Sequence, residues 1–190
     1  MVGYNCHMAR SRRDKIKDLN ILILGRGDVE FGIPKDWTAE LETTGLGHMK
    51  LKDAGDNCLL EASYMQLPPL RADAPALPER IRWVLPADKA PPDGTPIISY
   101  RRDRIDIAWT DYSYEEDDTE RNERRVAHTR ILLAANHLFQ ALLTLAYWDD
   151  DIAWVIPIWN RAVETLDLGN GTRLKNPFDH WSLRDGPLRD

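Results

Sequence analysis

Residues 1–110 alternate between short apolar segments and clusters of turn-forming residues, and this alternation restricts the fold more than any other feature. Several segments also alternate apolar and polar side chains with a period of two, as where Ile105, Ile107 and Trp109 share one face. Connections this short favour antiparallel pairing, because parallel strands need crossovers of about a dozen residues or more. The pattern predicts strands at residues 21–24, 29–33, 38–42, 48–52, 58–65, 81–85, 97–100 and 104–110.

Glycine, proline and aspartate mark the turns between these strands. The turn clusters lie at residues 25–28, 53–57 and 92–96. Eight prolines lie between residues 68 and 96, and we interpret them as ordered loops around the predicted strand at 81–85. Residues 1–110 therefore predict an antiparallel β-sheet.

The C-terminal part of the chain, residues 111–190, predicts helices. Acidic residues at 117, 118 and 120 are typical of a helix start, with Asp118 or Thr119 as the N-cap, and the helix then continues to about Tyr147. A second helix follows from Asp149 to about Leu166. The predicted fold class is thus α+β, with an antiparallel sheet packed against a long helix and a shorter C-terminal helix. We expect a single domain with a basic segment at 1–20, a β-rich part at 21–112, a helical part at 113–168 and a tail at 169–190.

Composition excludes several classes of protein. With 190 residues, 43% hydrophobic and 29% charged, the chain is sized and composed for one globular core, and no apolar run is long enough for a membrane span. Acidic side chains clearly outnumber basic ones over residues 111–190, so nucleic acid is not expected as a direct ligand. Cys6 and Cys58 give neither a metal spacing nor a disulfide framework, which predicts a reducing cytoplasm and no metal or other cofactor.

Residues 126–142 read VAHTRILLAANHLFQAL. This segment resembles a helix of small accessory proteins of bacteriophages and prophages, in which the pattern is approximately EANARLIAAAPELLEAL. The departures from it include Leu133, Asn136 and His137. The resemblance implies an origin in a mobile element and carries over no catalytic residue. The identical positions include Arg130, Ala134, Ala135, Leu138, Ala141 and Leu142.

Two acidic blocks flank the predicted long helix, and tryptophans accompany the second block. We expect them to form a contact surface for a protein partner with a basic surface, with a tryptophan as an exposed anchor. The leading hypothesis is therefore a non-enzymatic accessory protein of a phage or mobile element that binds and modulates a host or defence protein, for example as an inhibitor. The expected contact residues are Glu115, Glu116, Asp117, Asp118, Trp148, Asp149, Asp150, Asp151 and Trp154.

Two alternatives remain open from the sequence. A Mg²⁺-dependent nuclease or other phosphodiester hydrolase needs carboxylates that converge on the ion, and the candidates are Asp28, Glu30, Asp56 and Glu61. A structural or assembly component would instead form a homodimer through the apolar stripe of the long helix between Ile131 and Leu145. The first alternative predicts carboxylates within about 4–5 Å of one another, and the second places the stripe at a subunit boundary.

Overall fold

A computed structural model of the chain describes residues 19–25, 27–41, 48–68, 75–90, 94–119 and 121–169. These residues form two helices, α1 (Leu77–Val84) and α2 (Ile152–Thr165), and a 3-10 turn, Asp149–Asp151, precedes α2. Neither helix has the length and apolar character to cross a membrane. The predicted basic segment as far as residue 18 and the tail from residue 170 lie outside the described residues. The strands are β1 (Leu19–Leu24), β2 (Val29–Pro34), β3 (Thr38–Leu41), β4 (His48–Lys52), β5 (Cys58–Gln66), β6 (Ile98–Arg102), β7 (Ile105–Asp118), β8 (Glu123–Ala135), β9 (Phe139–Trp148) and β10 (Asp167–Leu168).

The described strands form two sheets, and every pairing between them is antiparallel. The prediction had one antiparallel sheet made of residues 1–110 only, whereas β8, β9 and β10 also belong to these sheets. The small sheet has the order β1-β2-β10, and the large sheet has the order β3-β4-β5-β9-β8-β7-β6. The predicted turn at 25–28 joins β1 to β2. Gly25 and Gly27 have φ angles of 59° and 95° there, a conformation that glycine adopts without steric cost.

The centre of the large sheet is covered on both faces. Helix α1 packs on β7 and β8 and buries Ile81 and Leu85 against Ala108, Ile131 and Leu133. The small sheet and α2 cover the opposite face, where the main core lies. The main core includes Phe31, Leu60, Leu132, Leu143, Val155 and Trp159.

The predicted long helix is wrong, and with it the α+β fold class, because the chain is mostly β. The segment predicted as helix holds the end of β7, all of β8 and most of β9, and it turns at Asn136. Its apolar run has no clear alternation because residues 131–135 of β8 are buried on both faces and β9 alternates only between buried and half-buried residues. Such a run cannot be told from a buried helix by periodicity. The stripe from Ile131 to Leu145 is therefore divided between two paired strands, and no helix exists there to form a dimer seam.

The predicted strand at 81–85 is also wrong, because α1 occupies this segment. Pro78 lies in the first turn of the helix, where its missing N–H costs nothing, while Glu79 and Arg82 lie near the ends where their charges are favourable. Ile81 and Leu85, four residues apart, are both buried, whereas Trp83 between them is exposed. The segment predicted as a strand is thus a helix with a buried face at Ile81 and Leu85 and an exposed face at Trp83.

Candidate functional site

A groove runs between helix α1 and the strands β5 and β9, and we call it the α1 groove. It has a volume of about 330 Å³, and its lining includes Met65, Arg80, Trp83, Val84, Gln140 and Leu142. Three of these side chains are large, apolar and exposed: Trp83 to 71%, Met65 to 53% and Val84 to 44%. Adjacent exposed apolar side chains of this size mark sites of interaction on a folded protein.

Arg80 supplies a positive charge to the α1 groove. Its guanidinium has no hydrogen bond and no ion pair among the described residues. Partial burial lowers the pKa of Arg80 from its ordinary value, because a guanidinium removed from water without a counter-charge is less favourable. An anionic group placed in the groove would supply that counter-charge.

Gln140 supplies a buried polar group to the α1 groove. The residue is only 9% exposed, and within the described part of the chain its Oε1 has no hydrogen-bond partner. Its Nε2 reaches only the sulfur of Met65, at 4.0 Å. A buried carbonyl oxygen without a donor costs about 1–3 kcal/mol, so a donor that enters the groove would recover part of this cost.

A second cavity, of about 560 Å³, is also lined by Arg80. Arg101 and Arg104 also line it, but both are already engaged within the chain. Arg101 lies 3.6 Å from Asp106, and Arg104 donates a hydrogen bond of 2.9 Å to the carbonyl oxygen of Leu168. Arg80 differs from these two arginines because its charge is not compensated in the described structure.

The two predicted acidic blocks come together at one end of the β7–β8 hairpin, and we call this region the acidic rim. Arg125 joins them, because it donates hydrogen bonds to Asp118 Oδ2 at 2.7 Å and to Asp150 Oδ2 at 3.0 Å. The bond to Asp118 raises the pKa of Arg125 above its ordinary value, and the bond to Asp150 adds to the effect. The guanidinium also lies 4.5 Å from the ring centre of Trp148.

Most of the other predicted contact residues in the acidic rim have partners within the chain. Asp117 is the exception, because its side chain has no ion pair or hydrogen bond among the described residues. Trp148 and Trp154 are partly buried, so neither stands out from the surface as a free anchor. The pairs are Glu115 with Arg124 at 3.0 Å, Glu116 with Lys89 at 3.7 Å, Asp149 with His128 at 2.7 Å, and Asp151 with the indole N–H of Trp154 at 2.8 Å.

The four carboxylates of the nuclease alternative do not form a metal site in the part of the chain that the structure describes. Asp28 lies in the turn between β1 and β2, and Glu30 lies on β2 of the small sheet. Asp56 lies in the β4–β5 turn with a φ of 54° and pairs with Lys52 at 3.1 Å. Glu61 lies on β5, 3.6 Å from His48 Nε2.

Cys58 is the thiol among the described residues, and its environment opposes reactivity. The side chain is buried at the start of β5, and burial raises its pKa far above the ordinary value, with Asp53 and Asp151 adding to the effect. Because the thiolate is the nucleophilic form, this thiol serves as a small core side chain.

Sequence reasoning missed Arg80, Trp83 and Gln140. The signal that could have identified Trp83 is Pro78, since proline in the first turn of a helix predicts that Ile81 and Trp83 point in different directions. No local signal could have identified Gln140, because its missing hydrogen-bond partner depends on what packs around it.

Two comparisons of the sequence with known proteins agree on one family. The family model Alr1449 matches residues 20–171. An uncharacterized protein, alr1449, of the cyanobacterium Nostoc sp. strain PCC 7120 is 31% identical over 150 residues, which are 78% of this chain and 77% of that protein.

Solved structures resemble the fold. The solution structure of cyanobacterial PsbP from Synechocystis sp. PCC 6803 superposes with a TM-score of 0.55 at 13% identity, covering 81% of this chain and 94% of that protein. A crystal structure from Bacteroides thetaiotaomicron superposes with a TM-score of 0.56 at 11% identity, covering 80% of this chain and 49% of that protein. Identities this low show the fold alone.

These comparisons contradict the resemblance to phage accessory proteins. The segment that carried it, residues 126–142, forms β8, the turn at Asn136 and the start of β9 instead of a helix. A mobile-element origin and an action on host defence therefore have no support. An Ala/Leu-rich segment matched a helical pattern because both a buried helix and a doubly covered strand select small and aliphatic side chains.

Proposed function

The chain belongs to the Alr1449 family, and we propose that it is a non-enzymatic protein that binds another protein through the α1 groove. The observation that carries the proposal is the exposure of Trp83, which at 71% is the most exposed large apolar side chain of the described residues. Tryptophan is enriched among the few residues that dominate the free energy of protein association. A partner that covers Trp83, Met65 and Val84 would remove three large apolar side chains from water at once.

The mixture of groups in the α1 groove also supports binding to a protein. Protein interfaces combine an apolar centre with a small number of polar groups that determine orientation. Here Trp83 and Met65 supply the apolar part, while Arg80 and Gln140 supply a cation and a hydrogen-bond acceptor. This arrangement fits recognition of a polypeptide surface and offers no nucleophile beside a base.

The acidic rim is a second candidate contact surface, for a partner with a basic surface. The observation that favours it is the carboxylate of Asp117, which has no partner among the described residues and is free to meet a cation. The neighbouring acids are already paired with arginine, lysine or histidine, so a basic partner would have to compete for them. We therefore rank the acidic rim below the α1 groove.

Site-specific photo-crosslinking distinguishes the two surfaces. We would place p-benzoylphenylalanine at position 83, at position 117 or at position 23 and irradiate each variant in a lysate of the organism that encodes the chain. Ile23 is the matched control, since it is an apolar side chain of β1 with 53% exposure on the other sheet. We expect a discrete cross-linked protein from position 83 that position 23 does not give.

The crosslinking results separate the hypotheses clearly. A product from position 117 alone would favour the acidic rim as the contact surface. Equal yields from positions 83 and 23, with none above them from position 117, would refute binding of a protein through either surface.

A further inference from the structure

The α1 groove contains two polar groups that find no partner among the described residues, and their chemistry defines what can occupy the groove. Gln140 presents a buried acceptor oxygen without a donor, and Arg80 presents a guanidinium without an anion, both among the described residues. These are independent observations, since one concerns a strand of the sheet and the other a helix packed above it. An occupant that satisfies both must carry a hydrogen-bond donor and a negative charge.

The remaining lining restricts the occupant further. An occupant must place apolar groups against Met65, Trp83 and Val84, because only apolar contact removes the apolar surface of these side chains from water favourably. A small inorganic anion would satisfy Arg80 and leave these three side chains exposed. The occupant is therefore amphipathic, with apolar groups close to an anionic group.

A polypeptide in extended conformation has all of these groups. Its backbone N–H groups are unpaired, whereas those inside a helix are already bonded to carbonyl oxygens four residues earlier. An extended segment can thus donate one N–H to Gln140 Oε1 while an aspartate or glutamate side chain reaches Arg80. Arginine and carboxylate form strong, charge-assisted hydrogen bonds with defined geometry.

We propose that the α1 groove binds an extended segment of a partner protein that combines apolar side chains with a carboxylate, with the carboxylate on Arg80 and a backbone N–H on Gln140 Oε1. This inference rests on the proposed function and specifies the chemistry of the partner. It assigns Trp83 and Met65 the apolar contacts and Arg80 the selection for negative charge.

Selection from a library of displayed random linear peptides tests the proposal without a known partner. The full chain serves as bait, and the Trp83→Ser variant serves as counter-selection after its thermal melt has been matched to that of the wild type. We expect enriched peptides that contain aspartate or glutamate beside leucine, isoleucine, valine or phenylalanine. Fluorescence anisotropy with the synthetic enriched peptide then measures its affinity for each variant.

Two substitutions test the assigned contacts, and one provides a matched control. Arg80→Gln should weaken binding by at least about tenfold, since a charge-assisted hydrogen bond is lost, and an Asp→Asn peptide should bind the wild type equally weakly. Arg82→Gln is the control, because Arg82 lies on the same helix but points elsewhere and does not line the groove. Gln140→Leu should weaken binding without lowering the stability of the chain, because it removes a buried acceptor that has no donor in the described part of the chain.

Each outcome decides the proposal. Enriched peptides without an acid, or with equal affinity for the wild type and Arg80→Gln, would overturn the acidic occupant and leave the proposed function intact. No enrichment over Trp83→Ser would overturn the peptide occupant, while the crosslinking experiment separately tests whether any protein binds there. A dimer of the wild type in sedimentation that Trp83→Ser abolishes would show that a second copy occupies the groove, and would also overturn the proposal.

Discussion

At the scale of single residues, polar side chains stabilise turns in segments where the sequence predicted a helix. Asp118, predicted as a helix N-cap, instead accepts a hydrogen bond from the backbone N–H of Arg121 at 3.1 Å in the β7–β8 turn. Its second oxygen receives Arg125 at 2.7 Å, and its side chain is only 8% exposed. The same short acceptor side chain suits the start of a helix and a tight turn, because both leave backbone N–H groups unpaired.

We expect Asp118→Ala to lower the free energy of unfolding by about 2 kcal/mol, because the backbone N–H of Arg121 loses its acceptor and the guanidinium of Arg125 keeps only Asp150 as a hydrogen-bond acceptor. Urea denaturation followed by tryptophan fluorescence measures the change. Asp117→Ala is the control, because Asp117 is exposed and has no partner among the described residues, and it should change stability by less than about 0.5 kcal/mol. Equal losses in both variants would contradict the role assigned to Asp118.

Asn136 has a similar role at the turn between β8 and β9. Its Oδ1 accepts the backbone N–H groups of Leu138 and Phe139, both at 2.8 Å, and its Nδ2 donates to the carbonyl oxygen of Gly169 at 2.8 Å. Asn136→Ala should therefore cost about 3 kcal/mol, measured by the same urea denaturation. His137→Ala, at the exposed neighbouring position, should cost less than about 0.5 kcal/mol. A loss below about 1 kcal/mol for Asn136→Ala would contradict this account.

At the scale of elements, helix α1 has one face that packs on the sheet and one face that is exposed to solvent. Ile81 is fully buried against β7 and β8, whereas Trp83, two residues later, is exposed at the α1 groove. The buried face attaches the helix to the sheet, and the exposed face is free to form contacts outside the chain.

Substitutions on the two faces of α1 should therefore have opposite consequences. Ile81→Ala should lower the free energy of unfolding by about 3 kcal/mol, as expected for a truncated core side chain. Trp83→Ser should change stability by less than about 1 kcal/mol and lower binding instead. Thermal denaturation of the two variants beside the wild type checks the first part. A large destabilisation by Trp83→Ser would show that this side chain belongs to the core.

At the scale of the whole molecule, a seven-stranded sheet lies between α1 on one face and α2 with the small sheet on the other. This arrangement buries several groups that become anionic when they lose a proton. Burial raises the pKa values of Cys58, Tyr112 and Tyr147, so the folded chain keeps these protons at a pH where the unfolded chain releases them.

The stability of the chain should consequently fall as the pH rises above about 8.5, where an unfolded cysteine ionises, and fall further above about 10, where tyrosine ionises. Urea denaturation at pH 7, 8.5 and 10 measures the trend. In a Cys6→Ser background, Cys58→Ala should reduce the fall between pH 8.5 and 10. A free energy of unfolding that is constant from pH 7 to pH 10 would contradict the prediction.

Local sequence patterns predicted most strands of the N-terminal part and their antiparallel orientation, but they put a strand where α1 lies and one sheet where there are two. Strands β1, β2, β4 and β5 lie close to where alternation and turn residues predicted them, because alternation and turn conformation depend on residues that are neighbours in the chain. The second helix, with Pro157 inside it, was located for the same reason. Both acidic blocks were recognised from composition alone.

Only the tertiary structure decided that residues 123–148 are strands, that residues 77–84 are a helix, and that Arg80, Trp83 and Gln140 line one groove. A strand covered on both faces loses its alternation, so its pattern depends on layers that are distant in sequence. The exposure of Trp83 and the missing donor at Gln140 likewise depend on which elements pack nearby. These properties depend on how elements distant in sequence pack together, and local sequence patterns do not predict that packing.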